Sequence, residues 1–195
     1  MSEVALTVAT AAQMRALGRS LATVLRPGDL VILTGGLGAG KTTLTQGIGD
    51  GLGVRGPITS PTFVIARVHP PLGSAVATGE LRPALVHADA YRLGSVLELD
   101  DLDLDTDTAS SVTVVEWGQG LAEGLAADRL EITIAPGAVG DAGPGTPASG
   151  VNPGDGNGSD PDDPIGDAPR TVRISAVGER WEGIKLPLAS LADRL

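Results

Sequence analysis

Residues 35–42, Gly-Gly-Leu-Gly-Ala-Gly-Lys-Thr, satisfy the pattern G-x4-G-K-[ST] and constrain this chain more than any other feature. The pattern places a glycine-rich turn between a strand and a helix, so that successive backbone N–H groups point inward at phosphate oxygens. Both neighbours are present. Leu30-Val31-Ile32-Leu33-Thr34 is a short apolar run suited to a buried strand, and residues 41–52 continue as a helix with its positive end toward the anion. In such a loop Gly35, Gly38, Ala39 and Gly40 form the cradle. Lys41 spans the β- and γ-phosphates of a nucleotide, and the Thr42 hydroxyl is a Mg²⁺ ligand.

The flanking sequence reads as alternating helices and buried strands. Met14, Leu17, Leu21, Val24 and Leu25 fall on one helical stripe over residues 11–25, stopped by Pro27-Gly28. Thr62–Val68 and Ala84–Ala88 read as strands around a Gly/Pro-bearing connection at 70–83, followed by strands at Val112–Val115 and Leu130–Ile134. This alternation predicts an α/β fold: a P-loop NTPase sheet with flanking helices covering its faces. At 42% hydrophobic residues the core can be substantial. With Phe63, Tyr91, Trp117 and Trp181 the only aromatics, it must be aliphatic.

Composition removes other chemistries. Without Cys there is no disulfide scaffold, thiolate metal site or thiol nucleophile. His69 and His87 lie too far apart for a helical two-His zinc site. No apolar run approaches a membrane span, and Met1–Thr10 lacks the pattern of a secretory signal, so a cytoplasmic protein is expected.

The net charge is −10, but the segment 136–169 holds six Asp and no Lys or Arg, leaving −4 for the rest. A direct grip on nucleic acid is disfavoured. The same segment contains nine Gly and seven Pro with almost nothing apolar, which predicts a disordered insertion. Thr171–Val177 then alternates as a half-buried strand. One domain is expected: a P-loop core at 1–135, the insertion at 136–169, and a terminal strand and tail at 170–195 completing the core.

Two strands end in acids, Glu116 after Val112–Val115 and Asp89 after Ala84–Ala88. Ligands of open α/β sheets sit beyond the carboxyl ends of strands, so both acids are placed to hold Mg²⁺ or orient attacking water. His87 reads as structural, and chemistry alone leaves Tyr91 and Arg92 undecided. The acidic run 98–107 fails the calcium-loop pattern, with Thr106 at the glycine position and Val112 at the final ligand. It reads as a solvated face or partner-facing loop.

Four motifs in this order resemble the TsaE family of bacterial P-loop ATPases of tRNA threonylcarbamoyladenosine synthesis. They are Gly-Leu-Gly-Ala-Gly-Lys-Thr-Thr (36–43), Thr-Ser-Pro-Thr-Phe (59–63), His-x-Asp-x-Tyr-Arg-Leu (87–93) and Val-Glu-Trp (115–117). The resemblance spans about residues 5–135 and the terminal strand. It implies a Mg²⁺-dependent ATPase that supports TsaD, the threonylcarbamoyl transferase, and TsaB, the inactive paralogue of TsaD, with tRNA reached only through them. By position it implies that Lys41, Thr42 and Thr43 contact phosphate and Mg²⁺, and that Glu116 binds metal. Asp89 would serve hydrolysis, Ser60-Pro61-Thr62 would form a switch-like loop, and Trp117 would lie beside the nucleotide.

This chain departs from the family pattern in the 136–169 insertion and in Gly36, where an acid is often found. Two other readings share the phosphate loop. A small-molecule phosphotransferase usually carries an Arg-rich lid, whereas Arg55, Arg67, Arg82 and Arg92 are scattered. A GTP switch carries an Asn/Thr-Lys-x-Asp segment, which is missing; Asp50-Gly51-Leu52-Gly53 spells D-x-x-G but lies on the helix after the loop.

Overall fold

The computed structural model describes residues 2–61, 64–73, 82–92, 110–137 and 168–187. Its elements are β1 (Ser2–Val8), α1 (Ala11–Ala22), β2 (Leu30–Gly35), α2 (Lys41–Leu52), β3 (Ala66–His69), β4 (Ala84–Asp89), β5 (Ser111–Glu116), β6 (Arg129–Pro136) and β7 (Arg170–Val177). The strands form one sheet in the order β1-β7-β6-β2-β5-β4-β3. β6, β2, β5 and β4 are parallel, whereas β3, β7 and β1 join antiparallel.

Alternation along the central strands sorts their side chains between two faces. Val31, Leu33, Leu85, Val112, Val114 and Ile132 pack with Met14, Leu17 and Leu21 of α1 and Leu44 and Ile48 of α2 in the main core. Leu30, Ile32, Val86, Ala88 and Val115 face the opposite side, covered by Ala122. Because both faces are covered, these strands are continuous apolar runs, as buried parallel strands require.

Helix α1 starts with a reciprocal cap: the Thr10 hydroxyl accepts from the Gln13 N–H, and the Gln13 carboxamide accepts from the Ala9 N–H. It ends at Ala22, three residues before the predicted Leu25. The Val24 and Leu25 N–H groups both turn back to the Leu21 carbonyl, and the Thr23 hydroxyl takes that of Ser20. α1 and α2 touch backbone to backbone. A Cβ on Gly47 would collide with the Arg15 carbonyl, and one on Gly18 with that of Leu44.

Three further boundaries differ from expectation. β1 was not anticipated, although Val4, Leu6 and Val8 alternate along it. The strand expected at Thr62–Val68 begins at Ala66, because the Pro61 carbonyl accepts the N–H groups of Val64 and Ile65 in a turn. Ile65 takes a left-handed φ of 68°. β6 runs through Pro136, into the expected insertion, and pairs it with Arg170. Most of 136–169, and all of the acidic run 98–107, lie outside the described residues.

Beyond β7, the segment folds back onto the α1–β2 turn. Arg180 Nη2 donates to Asp29 Oδ2 at 3.1 Å and to the Val24 carbonyl at 2.8 Å. Its guanidinium lies 4.5 Å from the Trp181 ring centroid.

Candidate functional site

The site lies where the carboxyl ends of β2, β5 and β4 meet the N-terminus of α2. Gly35 ends β2, and Gly40 is the N-cap of α2 with φ 108°, a conformation that favours glycine. No side chain caps α2, so its first-turn N–H groups are left without the usual capping oxygen. A Cβ on Gly36 or Gly38 would meet nothing within 4 Å, so the loop fronts open space. Leu37 at its tip is 98% exposed. These are the features of an anion cradle.

Lys41 is the first residue of α2 and is buried. Its Nζ donates to the carbonyls of Gly35 and Gly36, both at 2.9 Å, and lies 3.8 Å from the Trp117 ring centroid. Burial pulls its ammonium below the ordinary lysine range, while the carboxylates of Glu116 and Asp89 act in the opposite sense. Thr43 is buried on the inner face of the same turn.

Thr42 Oγ1 donates to Glu116 Oε1 at 2.8 Å, joining α2 to the end of β5. The register sets Asp89 directly beside Glu116, because β4 and β5 run parallel with these two as Cα partners. Asp89 is buried; its Oδ1 accepts from the Tyr91 N–H at 2.9 Å and its Oδ2 from Ser60 Oγ at 3.4 Å. The Asp89 N–H donates to the Ile65 carbonyl, which fastens the loop after Pro61 to β4. Thr42 and Glu116 offer oxygen ligands that suit a hard cation.

Trp117 leaves β5 in a left-handed conformation, φ 60°, with its N–H on the Leu33 carbonyl. Its indole contacts both Lys41 and Tyr91, the latter's ring centroid 5.2 Å away. The fold thus brings together Gly35, Gly38, Ala39, Gly40, Lys41, Thr42, Thr43, Asp89, Glu116 and Trp117. Thr62 lies outside the described residues.

Two neighbours were not anticipated. His87, read from the sequence as structural, reaches the site: its Nε2 is 2.8 Å from Glu116 Oε1. The signal was present, since His87 stands two residues before Asp89 and therefore on the same sheet face. Arg170, the first residue of β7, donates from Nη2 to the Gly38 carbonyl at 3.5 Å. Nothing in the sequence linked it to a loop 132 positions earlier.

The family model described as "Threonylcarbamoyl adenosine biosynthesis protein TsaE" matches residues 8–140. A Streptomyces coelicolor protein named tRNA threonylcarbamoyladenosine biosynthesis protein TsaE is 52% identical over 169 residues, covering 86% of this chain and 93% of its own length. A Bacillus subtilis protein of the same name is 37% identical over 123 residues, covering 63% of this chain and 71% of its own. The crystal structure of Bacillus subtilis YdiB aligns with a TM-score of 0.60 at 25% identity, covering 99% of this chain and 96% of that one. With over half its length matched by the family model and this fold beneath the match, the chain belongs to the TsaE family of threonylcarbamoyladenosine biosynthesis.

Proposed function

We propose that this chain is a Mg²⁺-dependent ATP hydrolase that supports homologues of TsaD and TsaB in threonylcarbamoyl modification of tRNA adenosine, acting in the cytoplasm. One observation carries the reading: the 2.8 Å bond from Thr42 Oγ1 to Glu116 Oε1, made beside Lys41 and an uncapped helix N-terminus. On this reading a phosphate cradle and an oxygen-ligand pair share one corner of the sheet.

The donor set fits Mg²⁺. That ion is held by one or two carboxylates together with substrate phosphates and water, and not by an all-protein cage. Thr42 and Glu116 would hold it, and when bound it neutralises charge on the phosphates being separated. The backbone of Gly38–Thr43 binds the phosphate chain, and Lys41 exchanges its contacts with the Gly35 and Gly36 carbonyls for phosphate oxygens. Asp89, held by Ser60 and the Tyr91 N–H, orients the attacking water or accepts its proton. Trp117 closes the site beside Lys41. Work on tRNA is indirect, consistent with the net charge of −10.

The test is nucleotide turnover by the purified protein, alone and with TsaB–TsaD, comparing ATP with GTP and with and without Mg²⁺. ATP turnover that requires Mg²⁺, rises with the partners and disappears in Lys41→Ala supports the proposal. Wild-type-like turnover in folded Lys41→Ala refutes it, and a phosphorylated small-molecule acceptor would reassign the site to a phosphotransferase.

A further inference from the structure

On the helix-facing side of β4 and β5, His87 stands between the apolar core and the acids Asp89 and Glu116 at the strand ends. Leu85 precedes it on its own strand, and its Cα partner on β5 is Val114. Both are core residues with no exposed surface, and His87 itself is 0% exposed. A polar ring in such a place is costly unless it is hydrogen-bonded. Its one bond is the 2.8 Å contact between Nε2 and Glu116 Oε1; Nδ1 has no hydrogen-bond partner among the described residues.

This asymmetry favours the tautomer protonated at Nε2. A proton on Nδ1 would be a buried donor without an acceptor, whereas a proton on Nε2 points at a carboxylate oxygen. Nε2–H is therefore the donor. Glu116 Oε1 then receives two hydrogen bonds, one from Thr42 on α2 and one from His87 on β4. Two converging donors define the carboxylate's position and leave it little rotational freedom.

We propose that His87 is a positioning residue that holds Glu116, through Nε2–H, in the orientation that binds the metal ion of a Mg²⁺–nucleotide. The inference rests on the reading of Glu116 as the Mg²⁺ acid and adds to it the group that sets its geometry. Outer partners of metal-binding carboxylates act in this way, and losing one typically costs about 10–100-fold in metal affinity.

Three measurements test it on the full chain. First, ¹⁵N NMR of the imidazoles in wild-type protein without metal, with His69→Leu to separate the two rings, should show His87 protonated at Nε2 and bare at Nδ1. The opposite tautomer overturns the donor role whatever the nucleotide data show. Second, calorimetric titration of ADP with and without Mg²⁺ should find His87→Leu unchanged in metal-free ADP binding, yet needing about 10–100-fold more Mg²⁺. Third, His87→Gln, whose amide nitrogen reaches the Nε2 position, should recover most of that loss, and the shorter His87→Asn should not.

An unmoved Mg²⁺ midpoint in folded His87→Leu overturns the proposal, as do equal losses in the Gln and Asn variants. Should the Leu variant fail to fold, the Gln and Asn pair and the wild-type tautomer decide. Wild-type ADP binding that ignores Mg²⁺ would instead refute the Mg²⁺-dependent reading of the site, an outcome separable from a failure confined to His87 variants.

Discussion

Replacing Arg180 with Ala should destabilise this protein by stranding the buried Asp29 carboxylate. Asp29 is 5% exposed and shares Oδ2 between the Arg26 N–H at 2.8 Å and Arg180 Nη2 at 3.1 Å. Removing one member of a buried pair costs about 3–5 kcal/mol, because the other charge is left desolvated. Two facts lower that figure here: the Arg26 N–H remains, and the Arg180 side chain is 17% exposed, which lets water approach. Loss of the donor to the Val24 carbonyl and of packing on Trp181 acts the other way. The expected cost is about 2–3 kcal/mol, or roughly 5–10 °C in melting temperature for a chain of this length.

The pH dependence separates this mechanism from simple loss of packing. Burial raises the Asp29 carboxyl above its ordinary value of 3.8, while Arg26 and Arg180 pull it down. Without Arg180 it rises further. A group whose folded pKa is raised takes up its proton in the folded state first, so falling pH favours folding until the unfolded chain is protonated too. The deficit of Arg180→Ala should therefore be largest at neutral pH and shrink as pH falls toward 4. Denaturant unfolding at several pH values, with Arg180→Met as a packing control and an Asp29→Asn double-mutant cycle, provides the assay. A pH-independent deficit, or additive effects in the cycle, would refute the account.

Gly47→Ala should cost about 1–3 kcal/mol or more despite improved helix propensity, because its Cβ would meet the Arg15 backbone across the α1–α2 contact; a neutral or stabilised melting curve would contradict this. His69 is buried, and burial lowers its pKa below 6.5, so the folded state resists a proton that the unfolded chain accepts. Stability should accordingly fall as pH drops below 6.5, by at most about 1.4 kcal/mol per pH unit from this group. His69→Leu should flatten that slope in pH-series unfolding. Replacing residues 138–167 with a Gly/Ser bridge of about 2–5 residues should preserve cooperative unfolding and basal ATP turnover, since the Gly137 N–H already reaches the Pro169 carbonyl at 2.7 Å. Loss of folding would show that the segment packs on the domain.

What the sequence determined by itself was local chemistry with strict spacing. G-x4-G-K-T after an apolar run specifies strand, turn and helix because a phosphate cradle needs small residues at fixed positions, and β2 and α2 lie where that reasoning put them. The apolar runs before Asp89 and Glu116 likewise announced buried strands. Local signals were weaker at the edges. β1 is only partly buried and its alternation is shallow, and the start of β3 depends on a turn at Pro61 that no hydrophobic period reports. Tertiary structure alone decided the contacts between strands distant in sequence. Parallel register set Asp89 beside Glu116 and brought His87 against the same carboxylate, although 29 residues separate the histidine from it. The terminal segment reached Asp29 through Arg180 across 151 residues, and Arg170 reached the Gly38 carbonyl across 132. Such pairings depend on strand order, which periodicity along one segment does not encode. A buried histidine in an apolar strand therefore looked like core until the neighbouring strand supplied its partner.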